Sequence, residues 1–289
     1  MTTQSITSIT DGQKKQYKRF VEDAADKALA KAGLDKDGIQ RLIENGDEFQ
    51  SRIVTGIREL SVSNHFANEE VWSSYAYSKD YKVKGITEQT NILRKLFPGI
   101  GFADEKLADQ PLPPNAEGWF AIPKWEKFAP TYGEAVEKVL AMIGSKRKFY
   151  NYRDGQLGTE YLRQHAKTAK MFQKLGDEQK DHDILVVPAQ FGLRHKGRSV
   201  RRAREVFAAN EFGLGAFAIG IMLLTHPERE VQWEQLHVDC AGDEFSPDAD
   251  GDFSLAPLFR FGGGRVRFGA RWCGSAGGDY GSASAFVSQ

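Results

Sequence analysis

The sequence predicts an α+β protein: a helical N-terminal part, then helices packed on a mixed or antiparallel sheet with a C-terminal β-hairpin. Three observations carry this expectation. Apolar residues recur at three- and four-residue spacing through most of the first hundred positions. Short β-branched and alternating runs gather from Ile184 onward. Leu258-Phe259-Arg260-Phe261 and Arg265-Val266-Arg267-Phe268 then flank Gly262-Gly263-Gly264, two alternating strands about a glycine turn.

Taken in order, Tyr17, Phe20, Val21, Ala24, Ala28 and Leu29 mark one face of an amphipathic helix that Gly33 ends. A short second helix carries Ile39, Leu42 and Ile43 up to Asn45-Gly46. Asp47 and Gln50 stand at capping-box positions of a third, with Phe49, Ile53, Ile57 and Leu60 as its apolar residues. Thr87 opens a fourth, with Ile92, Leu93 and Leu96, stopped at Pro98. Pro111-Leu112-Pro113-Pro114-Asn115 cannot continue a helix. A mainly helical region, 13–100, is therefore expected before an α+β region, 116–289, the two being separate domains or one continuous one.

Beyond the connector, Trp119 to Ile122 is expected as a strand, and Thr131-x-x-Glu134 as the capping box of a helix through Val136, Val139, Leu140 and Ile143, ending at Gly144. Phe149 to Tyr152 is a candidate strand, Thr159 to Leu175 a helix, and Ile184 to Val187 a buried strand bounded by Pro188. Phe212 to Leu224, thirteen uncharged residues, is expected to be buried and predominantly helical. It is too short for a bilayer, which takes about 20 residues. The aromatic cluster Trp119, Phe120, Trp125, Phe128 and Tyr132 is expected to fill the core.

Composition sets the outer limits. The 289 residues are 40% hydrophobic and 27% charged, in line with a globular chain that buries its own core. Lys plus Arg and Asp plus Glu are 39 each, so no global field draws the protein to polyanions or anionic lipid, and any such binding must come from local patches. Two cysteines, Cys240 and Cys273, make no disulfide framework, and the polar lead from Met1 to Asp11 has no signal-peptide pattern; a cytoplasmic protein without a membrane segment is expected.

The densest charge lies between Gly192 and Arg204. Arg194, Lys196, Arg198, Arg201, Arg202 and Arg204 occupy eleven residues without a carboxylate. Ser199 is the expected N-cap of a helix carrying Val200, Ala203 and Phe207, which sets the cations at a helix N-terminus, where free N–H groups and the helix dipole favour an anion. Gly192 and Gly197 have the separation of a phosphate-binding P-loop's glycines, but Arg198 stands at the lysine position, so the segment is not that motif. A second cationic surface is expected where Arg265, Arg267 and Arg271 share one strand face, opposite Val266, Phe268, Ala270 and Trp272.

Two readings of the basic segment compete. Its cations either contact nucleic acid or another polyanion, or pair with the acidic stretch of Asp239, Asp243, Glu244, Asp248, Asp250 and Asp252. The leading expectation is a binding protein whose anion-binding residues are Arg194, Lys196, Arg198, Ser199, Arg201, Arg202, Arg265, Arg267 and Arg271. One alternative is an enzyme acting on a phosphorylated ligand, with His195, Asp239 or Asp243 as acid or base; another is a protein that docks to a protein partner. No metal site is expected. Asp248, Asp250 and Asp252 resemble the first ligands of a calcium loop, but Gly251 and Phe259 are out of place for one, and Cys240 with His237 lacks the other zinc ligands. No cofactor motif is present.

Overall fold

Helices α1 (Asp11–Ala32), α2 (Lys36–Glu44) and α3 (Gly46–Ser61) follow the periodicity of the first sixty residues. The computed structural model describes residues 10–61, 64–230 and 232–287. Gly33, at φ 58°, is the left-handed residue after α1, and Asp35 caps α2 by accepting a hydrogen bond from the Gly38 amide at 2.7 Å. The side chains of Ile57 and Leu60, and most of the polar lead, lie outside the described residues. The chain divides after Ser61, and within this first unit Tyr17, Phe20, Ile43 and Phe49 are exposed and no residue of α2 is buried.

The second unit holds both sheets, and the Pro111–Pro114 connector runs inside it. α4 (Ile86–Leu96) begins one residue before Thr87, whose hydroxyl bonds Glu105 instead of capping the helix. The buried Gln89 of α4 donates to the Trp119 carbonyl at 2.8 Å and accepts from the Ala121 amide at 3.0 Å. These bonds fasten α4 to β1 (Gly118–Pro123). The capping box of α5 (Tyr132–Lys146) forms as expected from Thr131 and Glu134, and the helix runs past Gly144 by two residues. The aromatic cluster packs on the core, with Phe120 fully buried and Trp119, Trp125, Phe128 and Tyr132 partly so.

After β2 (Phe149–Asn151), the expected helix from Thr159 is corrected: β3 (Leu162–Gln164) comes first and α6 (Ala166–Glu178) starts only beyond it. Pairing of Leu162 with Phe245 and of Gln164 with Asp243 overrides local helix propensity there. β4 (Ile184–Gln190) extends through Pro188. Its second neighbour strand pairs only at Ala189 and Gln190, so the proline lies outside the stretch bonded on both sides. α7 (Val200–Val206) follows, then β5 (Glu211–Gly213) and α8 (Ala216–Thr225). The apolar run from Phe212 to Leu224 is buried and predominantly helical as expected, with α8 following a short strand end.

The remaining strands are β6 (His237–Asp239), β7 (Asp243–Phe245), β8 (Leu255–Gly262), β9 (Arg265–Trp272), β10 (Tyr280–Ser282) and β11 (Ser284–Phe286). One sheet has the order β1-β4-β11-β5 and is antiparallel. The other runs β10-β6-β8-β7-β3, with β9 paired to β8 and β2 to β9; it is mixed, since β10 is parallel to β6 and β2 to β9. β8 and β9 form the expected hairpin about Gly263 and Gly264, both at positive φ (59° and 73°), as a two-residue turn matched to strand twist requires. The core centres on α8, which is buried on all sides and carries no charge. It packs on α5 at Gly220, where a Cβ would come within 2.5 Å of Val139 Cγ1. Among the described residues no helix is long and apolar enough to cross a membrane.

Candidate nucleic-acid interface

The basic segment has the local shape read from the sequence. β4 ends at Gln190, Gly192 turns the chain at φ 129°, and the Ser199 hydroxyl caps α7 by accepting from the Arg202 amide at 3.1 Å. What the fold adds is a partner for every cation. Arg194 meets Glu211 at 3.1 Å, Arg198 meets Glu70 at 3.4 Å, and Lys196 donates to the Tyr75 carbonyl at 3.3 Å. Arg201 binds Glu69 through Nε at 2.8 Å, while Arg202 joins Glu70 and Glu205. Arg204 donates to the carbonyls of Ala241 (2.9 Å) and Asp243 (2.6 Å) and lies 4.0 Å from Glu244. Pairing with the acidic stretch therefore holds for Arg204 alone; the other carboxylates come from Glu69-Glu70 and from Glu205 and Glu211.

Glu211 anchors this arrangement from the interior. Burial alone would push its carboxyl up, yet hydrogen bonds from His195 (2.7 Å) and Ser284 (2.6 Å) and the charge of Arg194 hold it at about 2. Burial keeps His195 low, so its imidazole is neutral at pH 7, and its partners assign the tautomer: Nε2 donates to Glu211 and Nδ1 accepts from Arg198 at 3.2 Å. His195 is fully buried and both ring nitrogens are engaged, which leaves neither free to act as acid or base on a ligand.

Most of the acidic stretch is likewise engaged, while Asp248 and Asp252 are exposed. Asp239 is buried and held by Arg271 Nη2 at 2.8 Å and Nε at 3.1 Å. Glu244 meets Arg163 at 2.8 Å, and Asp250 accepts from Ser246 and the Asp252 amide. Asp243 accepts from Tyr132 at 2.9 Å and from the Ala216 amide at 2.6 Å, capping α8 from a neighbouring strand. Burial pushes its carboxyl up to about 7 against those bonds. Among the described residues no group of three or more His, Cys, Asp or Glu comes together as metal ligands.

The outer face of β8, β9 and β2 differs. The register sets Arg260 opposite Arg267 and Tyr150 on the other side of Arg267, so the three side chains form one row across three strands. Arg265 and Tyr152, two residues along, extend the same face. Tyr150 and Tyr152 are 47% and 49% exposed, and their ring centroids are 4.7 Å apart at 72°. The Arg265 guanidinium lies 5.5 Å from the Tyr150 ring and that of Arg267 6.0 Å from the Tyr152 ring. Among the described residues no carboxylate pairs with Arg260, Arg265 or Arg267. The opposite face of β9 buries Val266 and Phe268.

Of the cations singled out by sequence, the structure thus leaves Arg265 and Arg267 unpaired and engages the rest, Arg271 included. Tyr150, Tyr152 and Arg260 escape a search for dense charge, although Tyr150-x-Tyr152 and Arg265-x-Arg267 show the same two-residue period. No protein-family model, curated protein or solved structure matches the chain.

Proposed function

We propose that this protein binds single-stranded nucleic acid across the outer face of β2, β8 and β9. One observation carries the reading: three arginines without carboxylate partners surround two half-exposed tyrosines on a single sheet face. Exposed aromatic rings stack unpaired bases, and neighbouring cations follow the phosphates; a flat sheet face presents both at strand spacing. The row also has a cost that folding alone does not explain. Arg260 directly opposite Arg267 places like charges in a cross-strand pair, worth roughly 0.2–1 kcal/mol of destabilisation. A phosphate between them turns that repulsion into attraction.

The test is fluorescence anisotropy with a labelled single-stranded oligonucleotide and its duplex, at two salt concentrations. The expected result is salt-dependent binding that favours the single strand. Tyr150→Ala with Tyr152→Ala should weaken it by about 10-fold or more, since stacking is worth roughly 1–3 kcal/mol per base. Arg265→Ala with Arg267→Ala should flatten the logarithmic salt slope by about 1.4, at roughly 0.7 per phosphate contact. Absence of binding at low salt by the folded protein, or binding indifferent to all four substitutions, overturns the proposal.

A further inference from the structure

We infer that a separate groove, where α4, α5 and α8 end, binds a long-chain fatty carboxylate. The groove encloses about 800 Å³, within the range of small-molecule sites. Its floor is aliphatic and aromatic: Ile92 and Leu96 from α4, Ile143 from α5, Leu223 and Leu224 from α8, and Phe261 from β8. Four cations line it, Lys95, Lys146, Arg147 and Lys148, and no carboxylate does. Arg147 is committed to the carbonyls of Arg229 and Glu230. Among the described residues the ammonium groups of Lys95, Lys146 and Lys148 have no hydrogen-bond or ion-pair partner.

The carboxyl ends of three helices meet here, each carrying roughly half a negative charge. Together they offset less than half of the four cations, so a net positive rim remains over an apolar floor. Charge complementarity then defines the occupant. The lining side chains are cations at the edge and apolar groups on the floor, so a guest with polar atoms along its length would lose water without side-chain partners to replace it. A hydrocarbon tail with one anionic head meets both conditions: the tail removes apolar floor from water, and the carboxylate meets the lysines. This inference does not rest on the nucleic-acid reading, and the residues it uses are not those of the tyrosine face.

Calorimetry on the 289-residue chain tests it, with laurate, decanoate and dodecyltrimethylammonium, each below its micelle concentration. Laurate is expected to bind one per chain. Decanoate, shorter by two methylenes, should bind about 15-fold more weakly, about fourfold for each buried CH₂. Dodecyltrimethylammonium, with the same tail and the opposite charge, should not saturate. Lys95→Gln with Lys146→Gln and Lys148→Gln should weaken laurate about tenfold with an unchanged melting temperature, and Ile92→Ser should weaken it without altering the salt dependence. Failure of laurate to saturate at one per chain, equal binding of the cationic detergent, or indifference to the triple lysine variant overturns the inference. So does capture of an acidic amphipathic helical peptide in place of laurate, since the occupant would then be a protein.

Discussion

The segment from Arg194 to Arg204 and the face of β8, β9 and β2 are both cationic, and the fold treats them in opposite ways. In the first, six cations crowd one turn and one short helix, and each is drawn to a carboxylate or a carbonyl. In the second, Arg260, Arg265 and Arg267 alternate with apolar residues along extended strands, and among the described residues no carboxylate pairs with them; Arg271, farther along β9, is the exception, held by Asp239. Charge density along a sequence therefore measures how much counter-charge the fold must supply. It does not measure how much charge is left for a ligand. Cations spaced at every second residue beside exposed aromatic rings are the ones that stay available.

Removal of Glu211 should give the largest contrast. Glu211→Ala leaves Arg194, His195 and Ser284 without their shared acceptor in the interior, a loss of about 3–5 kcal/mol. At roughly 2–4 °C per kcal/mol for a domain of this size, thermal melts should show a fall on the order of 10 °C. Anisotropy on the surviving folded protein should show unchanged nucleic-acid affinity; a loss of binding with normal melting would break the comparison.

Glu69→Gln with Glu70→Gln converts the paired region into an unpaired one. Stability should fall by about 2 kcal/mol as charge-assisted bonds to Arg201 and Arg202 weaken, and the released arginines should steepen the salt dependence of nucleic-acid binding. An unchanged salt slope would mean that position, as well as pairing, keeps this segment from polyanions. On the sheet face, Arg267→Ala should do the reverse: weaker nucleic-acid binding with stability unchanged or raised by about 0.2–1 kcal/mol, as its repulsion with Arg260 is lost. Chemical denaturation alongside anisotropy reads both.

The last contrast is a pH dependence. The Asp243 carboxyl is raised in the folded state to about 7 from 3.8, so the native protein binds more protons than the unfolded chain between these values. Its contribution to stability is full below about pH 4 and is lost as pH rises to about 7. Glu211, held at about 2 against 4.5, acts in the other direction: its contribution is present above 4.5 and is lost as pH falls through 2. Asp243→Asn should flatten the decline in melting temperature between pH 4 and 7 and leave the acid limb in place.

Local signals in the sequence were legible wherever a few neighbouring residues decide the structure. The capping box at Thr131 and Glu134, the Ser199 cap, the glycine turn of the hairpin and the strand at Ile184 all belong to this kind. β3, β5, β10 and β11 have three residues each and owe their existence to partners far along the chain, so propensity assigned some of their positions to a helix. The candidate site divides in the same way. Period-two spacing located Arg265 and Arg267, whereas the loss of Arg271 to Asp239, and the capture of Arg201 by a glutamate 132 positions earlier, depend on tertiary contacts.

β11 lies between β4 and β5, so the last strand in the chain joins two that precede it by many residues. During synthesis β4 can pair with β1 on one side as soon as both have emerged, but its other edge must wait for Ser284 and Ala285. At about 5–20 residues per second that wait lasts roughly 5–20 s. Through it, a strand whose seven residues are all buried in the finished fold presents an unsatisfied edge to other nascent chains. Recovery of soluble protein should therefore depend on translation speed and on chaperones that shield strand edges, more than on the stability of the completed sheet.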